Sequence, residues 1–347
     1  MTEDPSTTTT TTSMSVPTLN TNPSVSLLSP PIASNSLSVQ GQYFVITGGT
    51  QGLGFAIAQQ LKRNGAAGLV LVSRSVQKGQ AAVAALQSPS CCRVWHVVAD
   101  LRDAEQASNV MAQAEQVIHN DNNNNDNHNN DEIVITGLVN AAAITDRGNL
   151  FSTTATDFDA PMQVNVRAPF LLTQAFANHL LQRRAALSTA THAANAASSS
   201  SQENADTATI PNRLPQGSIV NIASCASYGG APFIMAYSVS KAALVALTKN
   251  NAHELAPHNI RVNAINMGWC ATDHEHEIQR CLRGDQWLPR ADAGVPLGRI
   301  LRPADVAVTV NYLLSSASSM TTACILELHP EFPHGMLALA DQEPTSR

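Results

Sequence analysis

Continuous apolar runs, each bounded by glycine or a polar residue, recur along the middle of the chain. Residues 43–47 read YFVIT and residues 69–73 read LVLVS. Residues 94–99, the run closing on GLVNAAA at 137–143, and residues 218–223, 260–267 and 323–328 have the same character. Runs this short and this apolar on both sides predict strands buried on two faces. Helical periodicity fills the gaps: FAIAQQLKRNG behind Gly54, a long helix over about 157–184, another from about Met235 and one from Pro303. The segment beyond Gly268–Thr272, to about Pro296, shows neither period and is expected to be irregular. Strands alternating with helices predict an α/β fold, a doubly wound parallel sheet covered on both faces with ligands at the carboxyl ends of its strands.

Four stretches stand outside this pattern. Residues 1–39 are rich in Thr, Ser and Pro and predict a disordered tail, and residues 331–347 form a C-terminal tail. An Asn/Asp tract at about 120–131 and an Ala/Ser/Thr/Asn-rich stretch at 185–216, broken by Pro211 and Pro215, predict inserted mobile loops. Each insert follows a helix and precedes a strand, which places both at the rim opposite the ligand. Of 347 residues, 40–330 remain for one large domain. A net charge of -6 without a basic cluster excludes a nucleic-acid surface or a polybasic membrane patch. No apolar run approaches the ~18 residues of a membrane span. The first basic residue is Lys62, so no secretory or transit signal is expected, and the expected location is cytoplasmic. Cys91, Cys92, Cys225, Cys270, Cys281 and Cys324 lack the paired spacing of a metal or redox site and read as reduced thiols.

Candidate chemistry sits at the ends of the predicted strands. Directly after the first come Gly48, Gly49, Thr50, Gln51, Gly52, Leu53 and Gly54, and then a helix. A strand, a glycine-rich turn and a helix N-terminus make the Rossmann-like cradle in which backbone N–H groups hold a pyrophosphate, although glycines also serve ordinary turns. The second strand ends in Ser73-Arg74 with no acid. An acid there suits the ribose of NAD and an arginine the 2′-phosphate of NADP, so NADP is favoured over NAD; an ordinary surface arginine is the alternative. The turn before Gly52 offers no second cation.

Asp100 and Leu101 follow the third strand, where a carboxylate can accept from an adenine amino group, and Asp103 is an N-cap candidate. Asn140 can pin a neighbouring strand, and Asn165 is a polar residue among apolar neighbours that needs a partner. Ser224 closes the fifth strand, and Tyr237 and Lys241 share one helical face four residues apart. An isolated tyrosine with a pKa near ~10 is a poor acid or base at neutral pH, and an adjacent ammonium favours its phenolate. Tyr and Lys at helical spacing also arise commonly on solvated faces, so the pair gains meaning only from its context.

Over about 40–330 this series resembles the short-chain dehydrogenase/reductase family. The matching residues are Thr47, Gly48, Gly52 and Gly54, Asp100, Asn140, Asn165, and Ser224 ahead of Tyr237-x-x-x-Lys241. Departures are Ala141 and Ala143 in place of an Asn and a Gly, and Met267-Gly268 in place of Pro-Gly. The resemblance implies hydride transfer between a nicotinamide and a small carbonyl compound or secondary alcohol. Tyr237 would be the proton donor, Ser224 a hydrogen-bond donor to the reacting oxygen, and Lys241 a ligand of the nicotinamide ribose. Asn165 would hold a water linking Lys241 to solvent, with Thr272 and Gly268 at the carboxamide. It also implies a homodimer or homotetramer built on the two long helices.

Residues 227–235 and 269–295 would line the substrate, and Phe233, Trp269 and Trp287 suggest an apolar one, with core packing as the alternative. No metal is expected; His274, Glu275 and His276 read as part of a polar, mobile lid rather than as ligands. The competing reading is a non-catalytic nucleotide-binding protein that keeps the fold for regulation or scaffolding. An extended-family epimerase is disfavoured by the glycine spacing.

Overall fold

The computed structural model describes residues 36–87, 92–124, 133–198 and 216–330. The N-terminal tail up to residue 35, the tract at 125–132, residues 199–215 and the C-terminal tail from 331 lie outside the described residues. Seven strands form one parallel sheet: β1 (Tyr43–Thr47), β2 (Gly68–Ser73), β3 (Arg93–Val98), β4 (Ile135–Asn140), β5 (Gly217–Ile222), β6 (Ile260–Met267) and β7 (Ile325–Leu328). Their order is β3-β2-β1-β4-β5-β6-β7. From β1 the chain winds outward to β2 and β3, and then returns to β4 and winds the other way. The crevice between the ends of β1 and β4 is therefore the point where strand order reverses, the expected ligand position in a doubly wound sheet.

Why the strands read as unbroken apolar runs is clear from β1. Phe44 and Ile46 pack with α1 (Gly52–Arg63) and α9 (Pro303–Leu314), through Ile57, Leu61, Val306 and Val310. Val45 points the other way, with Val70, Val110, Leu172 and Phe176, onto α3 (Ala104–Asn124) and α5 (Ala168–Ser198). Successive side chains go to opposite faces, and helices cover both. Register aligns Thr47 with Asn140 and Asn140 with Asn221, so the turns after β1, β4 and β5 open on one rim.

The described structure departs from the sequence reading in several elements. The helix expected over 157–184 is α4 (Ala155–Met162), a π-helical turn (Gln163–Arg167), and then α5. Thr154 and Asp157 form a capping box that starts α4. α5 continues through the first part of the stretch expected to be a loop, to Ser198, because an Ala-rich segment has high helix propensity whatever its low complexity. α3 likewise runs into the Asn/Asp tract, to Asn124. The segment expected to be irregular contains α7 (Asp273–Arg283) and α8 (Trp287–Ala293). α7 buries little beyond Gln279, so it has scant apolar period to read. Residues ahead of position 40 belong to the fold: Val39 is fully buried and the Leu37 carbonyl accepts from Asn311 Nδ2 at 2.9 Å. No helix among the described residues is long and apolar enough to cross a membrane.

Candidate active site

The turn between β1 and α1 is built by three glycines for three different reasons. Gly48 has φ +66°, its N–H donates to the Val72 carbonyl at 2.8 Å, and a Cβ on it would lie 3.0 Å from Ala142 Cα. Gly52 has φ +54°, a left-handed backbone that favours glycine. Gly54 is fully hemmed in: a Cβ there would lie 2.3 Å from the Gly48 carbonyl oxygen. The first turn of α1 carries no acidic side chain, and its N-cap, Gln51, makes no side-chain cap. The helix N-terminus therefore keeps its N–H groups and partial positive charge for an outside anion. These features fit the diphosphate of a dinucleotide.

Opposite the turn, Thr47 Oγ1 accepts from the Ala141 and Ala142 N–H groups at 3.1 and 3.2 Å, which holds the chain after β4 against β1. The left-handed non-glycine residues are Asn259 and Ala323 among the described residues, so Ala143 occupies its place without backbone strain. The buried Asn140 bridges to β5 by donating from Nδ2 to Asn221 Oδ1 at 2.8 Å, and Asn221 donates in turn to Thr248 Oγ1 on α6 (Met235–Leu255) at 2.9 Å. Thr272 caps α7 by accepting from the Glu275 N–H at 3.2 Å, and its Cγ2 lies 4.0 Å from where a Gly52 Cβ would be. Gly268 donates to the Leu328 carbonyl at 2.8 Å. The loop after β6 thus closes over the glycine-rich turn.

Around the ends of β2 and β3, Ser73 Oγ hydrogen-bonds His96 Nε2 at 2.9 Å and Arg74 is exposed. Arg102 clamps the Asp100 carboxylate through Nε at 3.1 Å and Nη2 at 2.6 Å. That guanidinium holds the carboxyl below the usual carboxylate range, and the field of Arg74 adds in the same direction. Leu101 is buried behind it, and Asp103 caps α3. Sequence spacing offered no second cation here, yet the structure brings one from α2 (Val76–Leu86): Lys78 Nζ donates to Gln51 Oε1 at 2.7 Å. The two residues are 27 positions apart and meet only in the folded chain.

Ser224, Tyr237 and Lys241 come together at the end of β5. Ser224 caps a 3₁₀ turn (Cys225–Tyr228) by accepting from the Ala226 N–H at 3.1 Å, and its hydroxyl neighbours the Tyr237 phenol and acts to lower its pKa. Lys241 is 2 % exposed; its Nζ donates to the Ile222 carbonyl at 2.6 Å and lies 5.5 Å from the centre of the Tyr237 ring. Burial pushes the phenol up to about 12 while the Ser224 hydrogen bond pulls weakly the other way. Burial also brings Lys241 down to about 7. Within the protein's own groups, then, Tyr237 is the reverse of the lowered acid expected from the Tyr/Lys spacing. Desolvation dominates at the phenol, and the Lys241 ammonium points at the Ile222 carbonyl instead.

Asn165 lies inside the π-helical turn and spends both amide protons, on the Ile144 carbonyl and on Ser240 Oγ, each at 2.9 Å. Its Oδ1 accepts from the Ile144 N–H at 2.9 Å. The side chain thereby staples the loop after β4 to α6. The aromatic residues divide. Trp287 is 1 % exposed in a small core with Val295 and Ile300, so packing accounts for it rather than substrate contact. Phe233 packs beside Tyr237, with Arg147 5.4 Å over its ring. Of the trio on α7, Glu275 accepts from Trp269 Nε1 at 2.7 Å, His276 accepts from Trp287 Nε1 at 3.1 Å, and His274 is exposed. They diverge into separate contacts, and no cluster of metal-ligating side chains forms among the described residues.

Two family profiles match the chain, "short chain dehydrogenase" over residues 42–210 and "Enoyl-(Acyl carrier protein) reductase" over 191–328. The Bos taurus protein "Dehydrogenase/reductase SDR family member 4" is 30% identical over 279 residues, 80% of this chain and 82% of that protein. L-sorbose reductase from Gluconobacter frateurii, solved with NADPH and L-sorbose, superposes with a TM-score of 0.69 at 22% identity over 87% of this chain and all of that one. A putative NAD(P)-dependent gluconate 5-dehydrogenase from Beutenbergia cavernae, solved with NADP, gives 0.64 at 25% identity over 84% and 96%.

Proposed function

Since the chain belongs to the short-chain dehydrogenase/reductase family and is an NAD(P)-dependent oxidoreductase of that type, we propose that Tyr237 and Ser224 together handle the reacting oxygen of a small carbonyl compound or secondary alcohol. The nicotinamide ring, when bound, supplies or accepts the hydride. In the reducing direction Tyr237 gives its proton to the oxygen as negative charge develops there, and Ser224 donates a hydrogen bond to the same atom. The observation that carries this reading is the convergence of Ser224 and Tyr237 at the rim of β5, with Lys241 fixed to the Ile222 carbonyl 5.5 Å from the Tyr237 ring.

A phenol raised by burial stays protonated at working pH but gives its proton up reluctantly, so its acid role depends on positive charge brought beside it. The reverse role, as a base, needs added positive charge in the site. Lys241, near neutrality at about 7, can give or take a proton at Nζ at working pH. Asn165 acts as a positioning residue through Ser240 and the loop after β4. Gly48, Thr50, Gln51, Gly52, Leu53 and Gly54 hold the diphosphate, and Asp100, Leu101 and Asn140 border the adenosine and nicotinamide ends. Ser73 and Arg74, with no acid at the end of β2 itself, favour NADP over NAD. Exposed Phe170 on α5 and Val239 on α6 support a dimer or tetramer through those helices.

The test is turnover of the wild-type protein on a panel of ketones and secondary alcohols with NADPH or NADP, repeated with Ser224→Ala. The reading predicts activity in the wild type and a kcat about 10²–10³-fold lower in the variant, with cofactor affinity kept. Equal kcat in the two proteins overturns the role given to Ser224.

A further inference from the structure

Beyond Ser224 the rim of the sheet carries a polar cluster that the hydride-transfer chemistry does not use. Asn266 and Glu327 are register partners near the ends of β6 and β7, and Asn266 Nδ2 donates to Glu327 Oε1 at 3.1 Å. Two residues earlier on the same strands, Ala264 and Ile325 pack in a cluster with Leu244 of α6. The pair therefore lies on the face of the sheet covered by α6, the helix that carries Tyr237. Asn266 Oδ1 accepts from Ser227 Oγ at 3.2 Å, which ties the pair to the 3₁₀ turn capped by Ser224. Tyr228 ends that turn, roughly 8 Å of backbone rise beyond Ser224. Burial and the Glu327 carboxylate raise its phenol while Asn266 acts to lower it, so both groups lie beside the hydroxyl. Glu327 also holds His329, whose Nε2 lies 2.9 Å from Oε2 and whose ring meets that of Tyr228 edge to face at 6.3 Å.

Two features mark this cluster as a ligand site. A carboxylate only accepts, so His329 Nε2 carries the hydrogen of its contact with Glu327. His329 Nδ1 is left buried without a partner among the described residues, on a side chain 8 % exposed. The Glu327 carboxylate, by contrast, is 41 % exposed, pinned by Asn266 and His329, with no lysine or arginine paired to it among the described residues. A plain hydrocarbon laid over this wall would strip water from the carboxylate and return nothing. Hydroxyl groups replace that water: they donate to Glu327, serve the imidazole as donor or acceptor, and leave the half-exposed Tyr228 ring to cover the C–H edge between them. Resting on the catalytic reading above, we propose that Tyr228, Glu327 and His329 form a hydroxyl-binding subsite and that the substrate is a small polyhydroxylated ketone or polyol. Its reacting carbon sits at Ser224 and Tyr237, and its neighbouring hydroxyls sit on the cluster.

Steady-state kinetics of the full chain, with the better of NADPH and NADH as cofactor, test this. Erythrulose, a four-carbon ketone bearing a hydroxyl on each of its other carbons, is compared with butanone, which has the same carbon chain and no hydroxyl. The wild type is expected to favour erythrulose in kcat/KM by about 10²-fold or more, because a site built to hydrogen-bond hydroxyls rejects the analogue without them. Glu327→Gln, which keeps the shape and removes the charge, and Tyr228→Phe are each expected to shrink that ratio about ten-fold, with the loss in KM for erythrulose. A cluster that merely braces the turn would lower both substrates together, and equal losses overturn the subsite. So does a wild type that prefers butanone, or its dimethylammonium derivative, to erythrulose, or that reduces none of the three. A kcat on erythrulose that survives Ser224→Ala overturns the catalytic reading beneath, and the subsite with it.

Discussion

Replacing Gly54 with Ala is the sharpest structural probe of the cradle. The added Cβ would lie 2.3 Å from the Gly48 carbonyl oxygen, 2.7 Å from its carbon and 2.9 Å from Gly49 Cα. All three are backbone atoms, so no side chain can swing aside. Restoring contact at about 3.5 Å requires the first turn of α1 to back away from the glycine-rich turn by roughly 1 Å. Overpacking of this kind costs about 1–3 kcal/mol, or roughly 2–10 °C in Tm for a domain of this size.

The same displacement spoils the diphosphate cradle, so NADPH affinity should fall at least about ten-fold. Gly284→Ala is the control: Gly284 has φ +77° with open space around it, in the turn between α7 and α8, so the variant incurs backbone strain alone. It should lose stability while keeping cofactor affinity. Thermal unfolding by circular dichroism and NADPH titration read both. A Gly54→Ala protein with wild-type Tm and wild-type NADPH affinity would refute the close approach on which the cradle rests.

Burial of Lys241 gives the apo protein a stability that climbs with pH. Its pKa is about 7 folded against 10.5 ordinarily, so between those values the unfolded chain binds one more proton than the folded one. Stability therefore rises with pH across that window, by up to about 1.4 kcal/mol per unit, and the contribution is flat below it. Urea midpoints of nucleotide-stripped protein at pH 7 and 9 should separate in the wild type and converge in Lys241→Met; an identical pH response in both would contradict the burial argument. The Ser224→Ala outcome stated above completes the set and reads turnover.

Much of this arrangement could be read from residues alone. Tyr43–Thr47 and its counterparts announce themselves because both faces of the sheet are covered, so no polar alternation dilutes the signal. Glycine-rich turn, Asp100, Ser224 and the Tyr237/Lys241 pair follow from order and spacing along the chain. What stayed hidden depends on burial and on contacts across elements. The upward shift of Tyr237 comes from desolvation, which no spacing reveals. The side-chain partners of Asn165, Ile144 and Ser240, are 21 and 75 residues away and meet it only in the folded chain. Lys78 reads as one more surface lysine until Gln51 is set beside it. α7 escaped because its polar faces hide any apolar stripe, and the Ala-rich end of α5 escaped because low complexity was taken for loop.

The central claim is that the hydroxyl of Tyr237 protonates the reacting oxygen next to Ser224. Tyr237→Phe removes one oxygen atom from a side chain otherwise held by packing against the cluster of Cys225, Ala226 and Ala231. Measured side by side, NADPH affinity of that variant should stay within about two-fold of wild type while turnover of any active ketone falls by about 10³-fold or more. Turnover within a few-fold of wild type in a protein that binds NADPH normally would contradict it.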